Sequence, residues 1–389
     1  MQRIAAVAAV ALAFGVAAAA QAAPSLRIGL VMPVTGPFAD YGKQIERGIR
    51  LWLTAHGDTV AGRKVELVLR DDAPGTSGEV SKRIAQELIV NDKVDVLAGF
   101  GLTPEALAVA PLATQAKVPM VVMNAATSII TERSPYIVRT SFTLPQDSAP
   151  IAAWAAKNGV RRVYTLVADY GPGHDAEAQF GKTFTAAGGT IVGEVRVPVG
   201  TVDFSAYLQR VKDARPDAVF LFLPPGAGTI AFMKDFANRG LAKAGIRIVA
   251  TGDLTDEDVI DAYGDSVLGV ITAFHYSEAH DSPENRAYVA AYYKAYPKSR
   301  PNFMSVAGYD GMHLIAAAVE KTGGSADAQK FIDAARGMSW TSPRGTVTID
   351  PATRDIVQTV YIRRAQKVDG RMQNVEFDRY PDVKDPGKP

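Results

Sequence analysis

Three sets of residues in this 389-residue chain have the types and spacing to do chemistry. The first is a series of hydroxyls, Thr35, Thr103, Thr127 and Ser128, each in a short loop that follows an apolar run. With nearby glycine amides, helix starts and the rings of Phe38, Tyr41 and Tyr170, they suit a small organic anion with an apolar body. The second set is "AVFLFLPPGAGTIAF", where Gly226, Gly228 and Ala231 fit G-x-G-x-x-A after a strand and Asp253 ends the next strand. That is the layout of a dinucleotide fingerprint, although Pro224 and Pro225 interrupt it between strand and glycines. The third is His275, Glu278 and His280 in "HYSEAH", whose spacing matches no zinc pattern, so a solvated loop is the plainer account and no metal is expected. No G-x-S-x-G elbow is present, and the absence of cysteine excludes disulfides, thiolate metal sites and a cysteine nucleophile.

Several of these residues also have a duller role. Thr103 and Thr127 suit helix N-caps, Tyr41 and Tyr170 suit half-buried surface rings, and Asp253 suits a cap on the segment after it. Their common position favours the binding role. All follow strands of one expected sheet type, on the side where an open parallel sheet receives its ligand.

The elements that must hold these loops read as α/β. Short Val/Ile/Leu runs such as "LRIGLVM", "VDVLAGF", "PMVVMN", "RVYTLVAD", "DAVFLFLP" and "IRIVATG" alternate with amphipathic stretches of about 12 to 18 residues. Helices are expected at Tyr41 to His56, Ser77 to Asn91, Pro104 to Ala116, Asp147 to Asn158, Gly173 to Ala187 and Asp256 to Tyr263, among others. The pattern predicts two doubly wound parallel-sheet lobes that divide near Leu144, with the helices after Pro283 open to either lobe. The segment from Gly345 switches to period two and carries Asp369-Gly370, a hairpin turn signal.

The first residues, "MQRIAAVAAVALAFGVAAAAQA", read as a secretory leader cut after Ala22. Without Arg3 the 42 basic residues become 41, against 41 acidic ones. A balanced charge argues against nucleic acid or an anionic membrane as main partner.

From "IGLVMPVTGPFADYG" through "DDAPGTSGEVSKRIAQELI", "VPMVVMNAATS", "DYGPG" and "FANRGL" to "SPRGTVTID", the chain resembles the periplasmic solute-binding proteins of ATP-driven importers. The branch is the one that includes the leucine/isoleucine/valine-binding protein. The resemblance implies a type I fold of two lobes joined by three hinge crossovers, with 23–144 plus 276–345 as lobe 1 and 145–275 plus 346–389 as lobe 2. It implies a monomeric, non-enzymatic periplasmic receptor without a cofactor, which hands a small carboxylate to the membrane permease of an ABC importer.

Position by position, it implies a carboxylate on Thr103, Thr127 and the backbone of Ala125 and Ala126, with rings at Tyr41, Tyr170 and Phe303. Asp253 matches the acid that pairs with a ligand ammonium in amino-acid binders. The sequence departs from those binders at "LPPGAG", where Pro225 stands in place of an aromatic residue. The "FHYSEAHDSPENRAYV" and "SPRGTVTIDPATRDIVQTVYIR" segments look more like binders of hydroxybenzoates or hydroxycinnamates, in which Asp253 or His275 would take a phenolic proton. A branched-chain or other amino-acid binder is the alternative, and a secreted nucleotide-dependent enzyme at Gly226 and Gly228 a third reading.

Overall fold

The computed structural model describes residues 23–72 and 78–388. The expected leader and Ser77, the expected first residue of the second helix, lie outside the described residues.

In chain order the strands of the first sheet are β1 (Leu26–Met32), β2 (Thr59–Val60), β3 (Arg63–Asp71), β4 (Val96–Gly99), β5 (Met120–Val122) and β6 (Ile137–Arg139), arranged β2-β3-β1-β4-β5-β6. Their helices are α1 (Ala39–His56), α2 (Glu79–Val90) and α3 (Thr103–Ala116). The central strand β1 pairs in parallel with β3 and β4. A central parallel strand is covered on both faces, which explains why "LRIGLVM" reads as a continuous apolar run. Ile28, Leu30 and Met32 join one core with Ile45 and Ile49 of α1, while Val31 joins another with Leu88 of α2 and Val109 of α3.

The second sheet holds β7 (Arg162–Ala168), β8 (Thr190–Val197), β9 (Ala218–Phe222), β10 (Arg247–Thr251), β11 (Ile271–Phe274), β12 (Ser339–Ser342), β13 (Gly345–Ile349), β14 (Ile356–Val368) and β15 (Arg371–Val383). Strands β7 to β11 are parallel to their neighbours among themselves, and β14 closes on β11 antiparallel. Helices α4 (Leu144–Lys157), α5 (Gly171–Ala186), α6 (Ser205–Ala214) and α7 (Ala227–Asn238) belong with this sheet; α8 (Pro283–Ala295), α9 (Phe303–Lys321) and α10 (Ala328–Ala335) return to the first lobe, where α9 packs along α1. Among the described residues up to β15 the chain therefore crosses between lobes three times: after β6, after β11 and after α10.

Local chemistry moved several expected boundaries. The helix expected from Asp147 starts at Leu144, because Thr143 and Gln146 cap each other: the Gln146 amide N–H donates to the Thr143 hydroxyl at 3.4 Å, and the Thr143 N–H to the Gln146 side chain at 2.9 Å. The helix expected over Asp256 to Tyr263 is instead a pair of 3₁₀ segments, Gly252–Thr255 and Ile260–Val267, the second broken at Gly264 with φ 55°. Strand β6 was not anticipated, since three residues carry no readable period. Ser339–Ser342, placed with lobe 1 by resemblance, pairs with β13 and so lengthens the second sheet, although Trp340 Nε1 still donates to Asp310 of α9 at 2.9 Å. The Asp369-Gly370 signal marks a two-residue hairpin: Val368 pairs with Arg371, and both turn residues have positive φ, 49° and 80°.

Candidate functional site

The loops after the strands of both sheets meet in one cleft between the lobes. Its void is about 310 Å³, part of it continuous with solvent. Lobe 1 supplies Tyr41, Gly101 to Thr103 and Asn124 to Ala126; lobe 2 supplies Tyr170, Pro172, Phe222, Pro224, Pro225 and Asp253; Phe142, Leu144, Phe303 and Met304 close the hinge side. Each of the two sheets offers only the carboxyl ends of its strands, as an open parallel sheet does for a ligand.

Two helix starts converge here. The hydroxyls of Thr103, first residue of α3, and Thr127 lie 3.0 Å apart. Gly171, first residue of α5, approaches so closely that a Cβ there would sit 2.7 Å from the Thr127 hydroxyl and 3.5 Å from the Thr103 methyl. A helix start carries partial positive charge, so two of them favour an anion at this point. Glu105, in the first turn of α3, is buried, and burial pushes its carboxyl pKa well above the usual range, against the opposing hydrogen bonds of the Leu102 and Gly101 amides. Thr103 is on the cavity wall; Thr127 stands beside it and touches it rather than lining the space.

Behind this point the Ala125–Ser128 loop hangs on Arg139. The buried guanidinium donates to the carbonyls of Ala125 at 3.0 Å, Thr127 at 2.9 Å and Ser128 at 3.3 Å. The Ala125 amide is itself committed to the Phe100 carbonyl at 3.0 Å, so it does not serve as the expected backbone clamp.

The body of the cavity is walled by rings. Tyr41, Phe142, Tyr170, Phe222 and Phe303 all face it, with Tyr170 stacked near Phe222 at 6.1 Å and Phe142 edge-on to Phe303 at 5.6 Å. Pro225, which stands where an aromatic residue was expected, uses its carbonyl instead: the Tyr41 hydroxyl donates to it across the cleft at 3.1 Å. The Gly226 amide donates to the Thr229 hydroxyl at 3.3 Å, a cap on α7, so the glycines of the fingerprint-like stretch close a helix rather than face the cavity.

Asp253 is buried on the wall, where its carboxylate accepts from the Thr251 hydroxyl at 2.8 Å. Burial, only partly offset by that hydrogen bond, pushes its pKa up to about 7. His275 does not line the cavity. It is fully buried behind Phe142, with ring centroids 4.7 Å apart, and its Nδ1 lies 3.5 Å from Asp147. Burial first, then Arg344 and Arg363, hold its pKa well below the usual value, so it is neutral. As a wall residue it is a correction to the sequence reading, and the physical reason is the ring of Phe142 in front of it. His280 pairs with Glu376 and Glu278 with Arg300, both at 2.8 Å, so the "HYSEAH" side chains serve separate partners.

Sequence reasoning missed Phe142, Phe222, Asn124, Pro172 and Met304. Phe222 and Phe142 carry the same apolar signal as a core ring; Asn124 and Pro172 lie in loops that follow strands but carry no charge to single them out.

The profile of the family described as periplasmic binding protein matches residues 25–371. The Leu/Ile/Val-binding protein homolog 6 of Brucella melitensis biotype 1 is 48% identical over 376 residues, covering 96% of each chain. A solute binding protein of an ABC transporter from Rhodopseudomonas palustris BisB5, solved in complex with 3,4-dihydroxybenzoic acid, is 57% identical with a TM-score of 0.90, covering 94% of this chain and 99% of that one. Another from Rhodopseudomonas palustris HaA2, in complex with p-hydroxybenzoic acid, is 46% identical with a TM-score of 0.91 and the same coverage.

Proposed function

The chain belongs to the periplasmic binding protein family, and on that premise we propose that it captures a small aromatic carboxylate of the hydroxybenzoate or hydroxycinnamate type and delivers it to an ABC importer. The observation that carries this reading is a ring-walled cleft between the lobes with two helix starts at one point of its wall and a buried acid elsewhere on it. The helix starts and the Thr103 hydroxyl receive the carboxylate. The five rings sandwich the aromatic body, and Asp253 meets a ring hydroxyl. The solved relatives bound to hydroxybenzoates support the ligand class.

Export through the leader at 1–22, action as a monomer, and hand-over to a membrane permease complete the proposal. Among the described residues no helix is long and apolar enough to cross a membrane.

A second reading has an observation of its own. A relative at 48% identity is named for Leu, Ile and Val, and an ionised Asp253 would pair with an amino-acid ammonium. Calorimetry with 4-hydroxybenzoate, 3,4-dihydroxybenzoate and leucine separates the two. Micromolar or tighter binding of the benzoates, about 8 kcal/mol or more, with no leucine binding is the expected result. Leucine binding without benzoate binding would overturn the aromatic reading and restore the ammonium partner.

A further inference from the structure

We propose that the segment following β15, Asp385–Lys388, is a strap that positions the Ala125–Ser128 loop for ligand capture, with Asp385 and Lys388 as its attachment points. Strand β15 belongs to the second sheet, yet beyond Val383 the chain turns back to the first lobe. There the Asp385 carboxylate accepts from the Ser128 hydroxyl at 3.0 Å and from the Gly387 amide at 2.9 Å. Gly387 packs so close that a Cβ would stand 2.5 Å from the Ser128 hydroxyl.

The Lys388 ammonium is buried against the Asp355 carboxylate and the Thr131 hydroxyl. Asp355 in turn accepts from Arg139 Nε at 2.8 Å, and Arg139 is the group that holds the carbonyls of Ala125, Thr127 and Ser128. A charge out of water is costly unless paired, so a buried lysine is retained only inside a satisfied network. This network runs from the strap through Asp355 and Arg139 to the loop beside Thr103. Ser128 is fixed from the second lobe as well, its amide donating to Asp175 of α5 at 2.9 Å. The loop is thus set by groups that lie outside the cavity, and its carbonyls are drawn away from the place where an anion would repel them.

The affinity arm rests on the proposed arrival of the carboxylate at the two helix starts and Thr103; the exchange arm does not. The test compares the wild-type chain with Lys388→Met, Asp385→Asn and a chain ended after Lys384. Calorimetry with 4-hydroxybenzoate is expected to show Kd raised at least tenfold by the truncation and to an intermediate degree by the single substitutions. Hydrogen exchange of the ligand-free proteins is expected to quicken at least tenfold at 125–131, with the amides of β7, β9 and β10 unchanged. Should the truncated chain fail to fold, the two substitutions decide. Exchange at 125–131 within twofold of wild type overturns the strap, and faster exchange with an unchanged Kd overturns its role in capture. If the wild-type protein binds no benzoate, the ligand reading falls and exchange alone decides the strap.

Discussion

Asp253 shows what burial does to a single side chain of the site. An aspartate in an unfolded chain loses its proton near pH 4, whereas here burial holds the proton up to about pH 7. The folded chain therefore binds one more proton than the unfolded chain between those values. Its contribution to stability is full below pH 4, declines as pH rises towards 7 and is level above that. Asp72 and Asp258, also raised by burial to about 6, add slopes of the same sign, so the informative quantity is a difference. Asp253→Asn, which mimics the neutral acid and keeps an oxygen for Thr251, is expected to gain on wild type by roughly 2 to 4 kcal/mol between pH 4 and pH 8 in urea unfolding. Parallel pH curves for the two proteins would mean that Asp253 is ionised in the fold well below pH 7. Position along the chain made this residue legible, since it ends a strand; its protonation was not, because Thr251, Tyr170 and the second-lobe wall enclose it only after folding. Thr103, Tyr41 and Tyr170 were legible for the same positional reason, whereas Phe303, which follows α8 and not a strand, came through the resemblance alone. Phe142 and Phe222 were hidden because a ring that lines a cavity and a ring that fills a core have identical sequence patterns.

At the scale of elements, the binding geometry depends on how closely α1 and α9 approach. A Cβ at Gly48 would lie 1.8 Å from the Ser305 carbonyl oxygen, and one at Gly308 2.2 Å from that of Ile45, so the two backbones touch through paired glycines. Tyr41 sits at the start of α1 and Phe303 at the start of α9, and both reach the cavity. Gly48→Ala must push the helices apart, with a loss on the order of 2 to 4 kcal/mol and weaker benzoate binding as Tyr41 and Phe303 separate. Thermal unfolding and calorimetry on the same variant check both. An unchanged melting temperature would contradict the packing. In the sequence, glycines inside a helix register only as weak helix formers. The partner that makes them necessary lies more than 250 residues away along the chain, so periodicity found both helices and could not pair them. The strands after the leader were read well because a buried parallel strand is a local composition signal. The 3₁₀ segments at 252–267 were not, since Gly264 breaks the pattern only through its backbone.

For the whole molecule, the lobes are held together by polar contacts that flank the cavity without lining it. The Gln44 amide on α1 donates to both oxygens of Asp258, at 2.7 and 2.9 Å, and the Asn302 amide donates to Asp256 at 3.2 Å, while Tyr41 reaches Pro225 at the cavity itself. Ligand affinity in such an arrangement includes the equilibrium between apart and closed lobes, because the apparent Kd is the intrinsic one divided by the competent fraction. Gln44 is off the cavity wall, so its removal reaches the ligand through closure; it also loses the contacts of its amide with Ser299 and the Arg300 carbonyl, both at 3.2 Å, and of its oxygen with the Tyr292 hydroxyl. Hydrogen bonds to a charged group contribute about 1.5 to 3 kcal/mol, which converts to roughly a tenfold or greater rise in Kd for Gln44→Ala if closure and capture are coupled. The change is expected in the off-rate, read by stopped flow, because opening releases the ligand, whereas encounter with the open cleft does not involve Gln44. Small-angle scattering supplies the structural half: wild type is expected to contract on adding 4-hydroxybenzoate, and Gln44→Ala to need a higher concentration for the same contraction. An affinity equal to wild type would show that the Gln44 to Asp258 contact forms without biasing the lobes, leaving closure to the rings and the carboxylate point.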